Sequence, residues 1–324
     1  MFPDTRGMAC DPVPDSTAAE SSLPHERPAG SVAGHFFVAL RPDQWTKNLV
    51  VFAGLIFGQQ LTEPRALAIS ATAVVIFCAL SSAMYLVNDV VDREDDQRHP
   101  DKSRRPIAAG HLSARTAIVG ASVLGGAALA GAFWLSGPFG IVSAGFVALL
   151  LAYTRTLKHL VILDVLTIAG SFVLRAVAGA VAISVPISQW LLVCTLLGAL
   201  FLGLSKRRQE LTLLGPDAIG HRRILAEYSP LMLDQLISIV AAATLVSYAF
   251  YTMGPDTVEK FGTSLLTLTL PFPVYGVFRY LYLVHYRDGG GNPSEILWRD
   301  RPLLGCVMLW AATVVLIIYQ PFWS

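Results

Sequence analysis

Long stretches of this chain run without a single Asp, Glu, Lys or Arg: Ala66–Val87, Thr116–Thr154, Val165–Leu174, Ala176–Ser205, Gln235–Pro255, Phe261–Phe278 and Pro302–Ser324. A bilayer core needs about 20 consecutive apolar residues per helix. Thr116–Thr154 is about twice that length and carries Ser136-Gly137-Pro138 near its middle. Ser184-Val185-Pro186 interrupts the 165–205 region in the same way. Turn residues at those points make each region a pair of helices joined by a short turn. A weaker first span runs over 35–57, interrupted by Arg41, Asp43 and Lys47. The apolar runs are continuous rather than alternating, which disfavours a β-barrel. The expected fold is therefore all-α: a polytopic membrane protein with nine transmembrane helices.

Composition supports that reading. The chain has 324 residues, 54% hydrophobic and 15% charged, against about a quarter charged in soluble domains. A disordered chain is excluded, and an ordinary water-soluble enzyme is disfavoured. The net charge of +1 gives no electrostatic basis for bulk nucleic-acid binding. Cys78, Cys194 and Cys306 lie in apolar runs and Cys10 near the start, with no paired spacing for a metal. Residues 1–33 are rich in Pro, Ser and Ala and are expected to form a disordered cytoplasmic tail, leaving 34–324 as the transmembrane catalytic domain.

The charges are sided. With nine spans, one set of ends collects 20 of the 24 Lys and Arg residues, while Arg65 and Lys260 lie on the other side and Arg175 and Arg279 within spans. The positive-inside rule places the crowded side in the cytoplasm of a bacterial inner membrane protein, facing the same side as the N-terminus.

The densest of these charged segments is Asn88-Asp89-Val90-Val91-Asp92-Arg93-Glu94-Asp95-Asp96. Asn88, Asp89, Asp92 and Asp96 fall within about one third of a helical circumference. Like charges so spaced repel, and a divalent cation is the natural compensation. Oxygen donors in an open array suit Mg²⁺ completed by substrate phosphates. Asp95 is an alternative to Asp96, and a solvated helix end is the plainer reading. Arg98, His99, Lys102, Arg104 and Arg105 follow at once. Acid for metal and then base for phosphate is a layout for a diphosphate substrate.

Asn88-Asp89-x-x-Asp92-x-x-x-Asp96, followed by Lys102-x-x-Arg105-Pro106-Ile107-Ala108-Ala109-Gly110, resembles the first motif of the UbiA-type membrane prenyltransferase superfamily. That resemblance implies a nine-helix UbiA-like bundle and a diphosphate held through Mg²⁺ by Asn88, Asp89, Asp92 and Asp96. The second half departs from the usual pattern. In place of a second acidic motif stands Tyr153-Thr154-Arg155-Thr156-Leu157-Lys158-His159, then Asp164. Together with Arg41-Pro42-x-Gln44-Trp45-x-Lys47-Asn48, Leu174-Arg175-Ala176, Lys206-Arg207-Arg208 and Arg299-Asp300-Arg301, this is similar to the decaprenyl-phosphate phosphoribosyltransferase branch, over roughly residues 36–320.

What the branch resemblance implies is transfer of 5-phosphoribose from phosphoribosyl diphosphate (PRPP) to a polyprenyl phosphate, feeding decaprenylphosphoryl-arabinose and cell-wall arabinan. Lys102, Arg105 and Lys158 would hold diphosphate oxygens. Lys47, Lys206 and Arg207 are candidates for the 5-phosphate. Tyr153 joins the substrate-binding set, and Arg175 would line a polar cavity. Asp164 would steady an oxocarbenium-like transition state or hold a second metal. A homo-oligomer is left open. The alternatives are an aromatic prenyltransferase using polyprenyl diphosphate and, outside the enzyme class, a transporter.

Overall fold

The computed structural model describes residues 31–99, 102–214, 223–286, 296 and 299–319. All but three residues of the proposed 1–33 tail lie outside them, and Val32 and Ala33 open the first helix. The helices are α1 (Val32–Ala39), α2 (Ala53–Phe57), α3 (Pro64–Val91), α4 (Arg93–Arg98), α5 (Ala114–Leu135), α6 (Gly137–Arg155), α7 (Leu163–Ala182), α8 (Gln189–Leu214), α9 (Pro230–Met253), α10 (Pro255–Phe261), α11 (Pro271–Tyr286) and α12 (Arg301–Tyr319). No strand occurs among the described residues.

Both expected interhelical turns are present. Ser136 is extended between α5 and α6, and its hydroxyl accepts the Phe139 N–H at 3.2 Å. An N-cap of this kind satisfies one of the donors a helix start leaves open. Ser113 and Ser229 cap α5 and α9 in the same manner. The second turn occupies residues 183–188, between α7 and α8.

Among the described residues the count comes close to the expected nine. Seven helices among the described residues are long and apolar enough to cross a bilayer: α3, α5, α6, α7, α8, α9 and α12. An eighth is counted if α10 and the apolar run Leu265–His285, bent by 105° to each other, make one span. The expected first span is not a continuous helix. Arg41 adopts a left-handed backbone at φ 55°, and Pro42 then opens a 3₁₀ segment, Pro42–Phe52, before the short α2. Proline disfavours helical geometry in the residue before it, so the path breaks at Arg41. The broken segment packs backbone to backbone on α7. A Cβ on Gly179 would lie 1.8 Å from the Val51 carbonyl oxygen, and one on Gly54 would lie 2.6 Å from the Ala180 nitrogen.

Helices α3 and α7 are the most buried spans and form the middle of the bundle. Phe77, Phe139 and Phe146 fill one core between α3, α5, α6 and α7. A second core joins α7, α8, α9 and α11 through Val165, Leu200, Leu233, Ile237 and Leu283. Residues such as Trp134, Ile141, Leu231 and Met308 point outward, as helices facing lipid require. The chain closes on itself where Tyr319 of α12 donates its hydroxyl to the carbonyls of Leu55 and Ile56 and accepts the Leu61 N–H at 3.0 Å.

Candidate active site

At one end of α3 the acidic motif meets cations from three other parts of the chain. Helix α3 ends at Val91, and the backbone bonds Asp92 N–H to Asn88 C=O and Asp96 N–H to Asp92 C=O carry the coil into α4. The motif therefore keeps a nearly helical spacing across the joint. Asp89 Oδ1 accepts from Arg41 Nη2 at 2.5 Å and from Arg105 Nη1 at 3.2 Å. The same Arg105 nitrogen donates to Asp96 Oδ2 at 2.5 Å. Asp92 pairs with Lys158 and accepts from the Asn88 amide at 2.9 Å. Thr154 donates to the Asn88 carbonyl oxygen at 3.3 Å, tying α6 to α3.

The acids thus form two groups. Asp89 and Asp96 converge on Arg105, while Asp92 and Asn88 face Lys158 and Thr154. Burial raises the carboxyl pKa of Asp96, opposed by Arg105 and by nearby Lys102. No three His, Cys, Asp or Glu side chains among the described residues gather as a metal cage. The donor set nonetheless fits Mg²⁺. Two carboxylate oxygens converge on one cationic nitrogen of Arg105, and this ion characteristically uses one or two carboxylates and leaves the rest of its shell to water and phosphate.

Other candidates lie apart from this cluster. Asp164, fully buried at the start of α7, accepts from Arg207 Nε at 2.8 Å and from the Tyr228 hydroxyl at 2.7 Å. Arg207 also donates to Glu210 at 2.5 Å. The Tyr228 oxygen in turn accepts the Ile162 N–H at 2.8 Å, at a residue whose φ is 69°. Burial and the bond to Asp164 push the Tyr228 hydroxyl up to about 12. Tyr153 lies within electrostatic reach of Arg207. Lys206 is half-buried beside it, on a helix that continues to Leu214 rather than ending there.

Arg175 is enclosed within the bundle at 4% exposure. Its Nε donates to Asn48 Oδ1 at 2.8 Å, its Nη1 to the Ser171 carbonyl and hydroxyl at 3.0 Å, and its Nη2 to Ser81 Oγ at 3.4 Å. The guanidinium lies over the rings of Phe146 and Phe172. Lys47, on the 3₁₀ segment next to Asn48, is half-buried.

Two contributors were not singled out as site residues in the sequence. Arg41 reaches Asp89 across 48 positions, and Tyr228 anchors Asp164 across 64. The motif around Arg41 carried the only signal for the first. Nothing in the sequence marked the second.

Comparison with known proteins agrees with this architecture. Residues 48–298 match the UbiA prenyltransferase family. A decaprenyl-phosphate phosphoribosyltransferase of Mycolicibacterium smegmatis is 33% identical over 93% of this chain and 98% of its own length. The enzyme of the same name from Mycobacterium tuberculosis (strain H37Rv) is 35% identical over 89% of this chain and 95% of its own. A UbiA homologue from Archaeoglobus fulgidus, solved with DMAPP and Mg²⁺, shares the fold at a TM-score of 0.68 and 18% identity, covering 88% of this chain and 99% of that one. An all-helical bundle with an Asp-rich cluster at the end of its central helix, matched over most of its length, identifies the chain as a member of the UbiA prenyltransferase family.

Proposed function

We propose that this chain transfers a 5-phosphoribosyl group from PRPP to a polyprenyl phosphate such as decaprenyl phosphate and releases diphosphate. The observation that carries the reading is the end-to-end similarity to enzymes of that name, at 33% and 35% identity. The basic second motif supports it, because Lys158 reaches across to Asp92 where an acidic motif would bring repulsion.

Asn88, Asp89, Asp92 and Asp96 would hold Mg²⁺, which when bound neutralises charge on the departing diphosphate. Arg41 and Arg105 are about a quarter exposed. Each is therefore free to turn from its carboxylate to a phosphate oxygen as the donor arrives. Lys102, Arg105 and Lys158 take the diphosphate in this reading, and Lys47 and Lys206 face the 5-phosphate. Arg207 is committed to Asp164 and Glu210, so its part is to hold Asp164 and α8 in place. The acceptor phosphate is already anionic near neutral pH, so no general base is needed. Attack from the face opposite the diphosphate inverts the anomeric carbon.

The cation-rich ends support a site at the cytoplasmic face of the bacterial inner membrane, where soluble PRPP would meet a lipid whose tail stays in the bilayer. The product would feed decaprenylphosphoryl-arabinose and cell-wall arabinan synthesis. Purified protein, Mg²⁺, radiolabelled PRPP and a polyprenyl phosphate should yield a lipid-extractable label. Turnover of prenyl diphosphate with an aromatic acid, and none of PRPP, would replace this reading with an aromatic prenyltransferase.

A further inference from the structure

Arg41 is one of four described residues other than glycine with a positive φ, and the one among them whose side chain meets the acidic motif. Its φ of 55° and ψ of 63° are left-handed, a region that Cβ sterics disfavour for an L residue. Such a conformation persists only where its surroundings fix it from more than one side.

The fixing contacts come from Ser82 of α3, a residue 1% exposed. Its hydroxyl donates to the Leu40 carbonyl at 2.8 Å and accepts the Trp45 indole N–H at 3.0 Å. Leu40 stands immediately before the bend and Trp45 four residues after it, on the 3₁₀ segment. One oxygen therefore holds the chain on both sides of Arg41. Serine within a helix commonly donates to the carbonyl four residues back, as Ser122 and Ser205 do here at 2.9 and 2.7 Å. A hydroxyl has one proton, and that of Ser82 leaves its own helix for Leu40.

The same stripe of α3 takes the Arg41 side chain. Tyr85 and Asp89 follow Ser82 by three and seven residues, along one helix face. The guanidinium lies 4.9 Å from the centre of the Tyr85 ring, and Nη2 donates to Asp89 Oδ1 at 2.5 Å. Ser82 is about 10 Å along the axis from Asp89, so its two bonds lie apart from the acidic cluster. Arg41 is thus fixed at two levels of one face: its backbone at Ser82, its guanidinium at Tyr85 and Asp89.

We infer that Ser82 is a positioning residue for the transfer: its hydroxyl sets the bend from which Arg41 reaches Asp89 and, as the donor arrives, a phosphate oxygen. The inference deepens the transferase reading and rests on it. Its physical content is pre-organisation. With the bend fixed, the guanidinium changes partner by turning its side chain alone. With the bend free, the chain around Arg41 must be ordered at each binding event, and that cost falls on donor affinity.

The test uses the full chain in lipid nanodiscs. PRPP affinity with Mg²⁺ is measured by calorimetry, and label transfer from PRPP with both substrates varied. Ser82→Ala deletes both bonds, and Trp45→Phe deletes the indole donor while keeping a ring. Each is made alone and together with Arg41→Lys, which keeps the charge and loses the fork. Ser82→Ala should raise the PRPP Kd about tenfold, the scale of one or two neutral hydrogen bonds, and Trp45→Phe about threefold. The KM for polyprenyl phosphate should stay within about twofold in both. On the Arg41→Lys background neither should add more than about twofold, because effects that act through one residue do not add. Equal losses in both backgrounds, or equal rises for both substrates, mean a general loosening of the bundle and overturn the positioning role. So does a Ser82→Ala Kd within about twofold of wild type. Should Ser82→Ala not fold, Trp45→Phe decides by the same comparison. Wild type that transfers from PRPP while these comparisons fail keeps the enzyme reading alone; wild type that transfers nothing from PRPP removes both.

Discussion

Asp89 and Asp164 are both carboxylates with almost no exposed surface, and each holds an arginine, but the arginines differ. Arg41 and Arg105 keep 22% and 25% of their side chains exposed, whereas Arg207 keeps 3%. Around Asp89 the cations can leave, because water or a phosphate can replace the carboxylate at modest cost. Around Asp164 they cannot, because Arg207, Glu210 and Tyr228 close the group on itself. Similar chemistry thus yields an exchangeable site at the end of α3 and a fixed joint at the start of α7. Charge alone does not separate the two; access to water does.

The sealed joint should break hardest. Asp164→Asn leaves Arg207 with only Glu210, and removing one member of a buried pair costs about 3–5 kcal/mol. Thermal melting in detergent should show that loss, and Asp164→Leu with Arg207→Met should recover much of it. A wild-type melting temperature in Asp164→Asn would remove the distinction.

The open cluster should show the opposite pattern. Asp92→Asn should cut transfer by about 100-fold or more, the scale of one lost electrostatic stabiliser. Its melting temperature should fall less than that of Asp164→Asn, since the Asp92 side chain is 25% exposed. Retained turnover would take Asp92 out of the site.

Tyr228→Phe deletes the hydroxyl that links Ile162 to Asp164 and should cost about 1–3 kcal/mol. Turnover per folded molecule should change little. A kcat collapse with normal stability would move Asp164 into the catalytic group.

The smallest effect belongs to the neighbour of Arg207. Arg208 pairs with Asp234 at 3.0 Å, both partly exposed. Arg208→Ala should cost no more than about 1 kcal/mol. Adjacent residues on α8 would then differ severalfold through burial alone.

Much of the fold was legible because bilayer spans are written in local composition. Seven charge-free runs coincide with helices, and Ser136-Gly137-Pro138 and Ser184-Val185-Pro186 mark real turns. In the first span Pro42 marks the break locally, but the path beyond it depends on contact with α7 through Gly54 and Gly179, far apart in sequence. In the site, the i, i+4 spacing brought out the acids. Their partners came from residues 41, 105 and 158, and only the motif resemblance hinted at two of these. Arg279, placed within a span by the sequence, grips Asp300 through two nitrogens, at 3.2 and 2.8 Å.

The Tyr319 hydroxyl has a temporal consequence. It binds groups of residues 55–61, more than 250 positions earlier. A ribosome delivers residues 55–61 well before Tyr319, and contacts of such sequence separation form late. The carbonyls of Leu55 and Ile56 must wait for α12 to enter the bilayer. Insertion of α12 is thus the event that pins residues 55–61, at the end of the segment that carries Arg41 to Asp89.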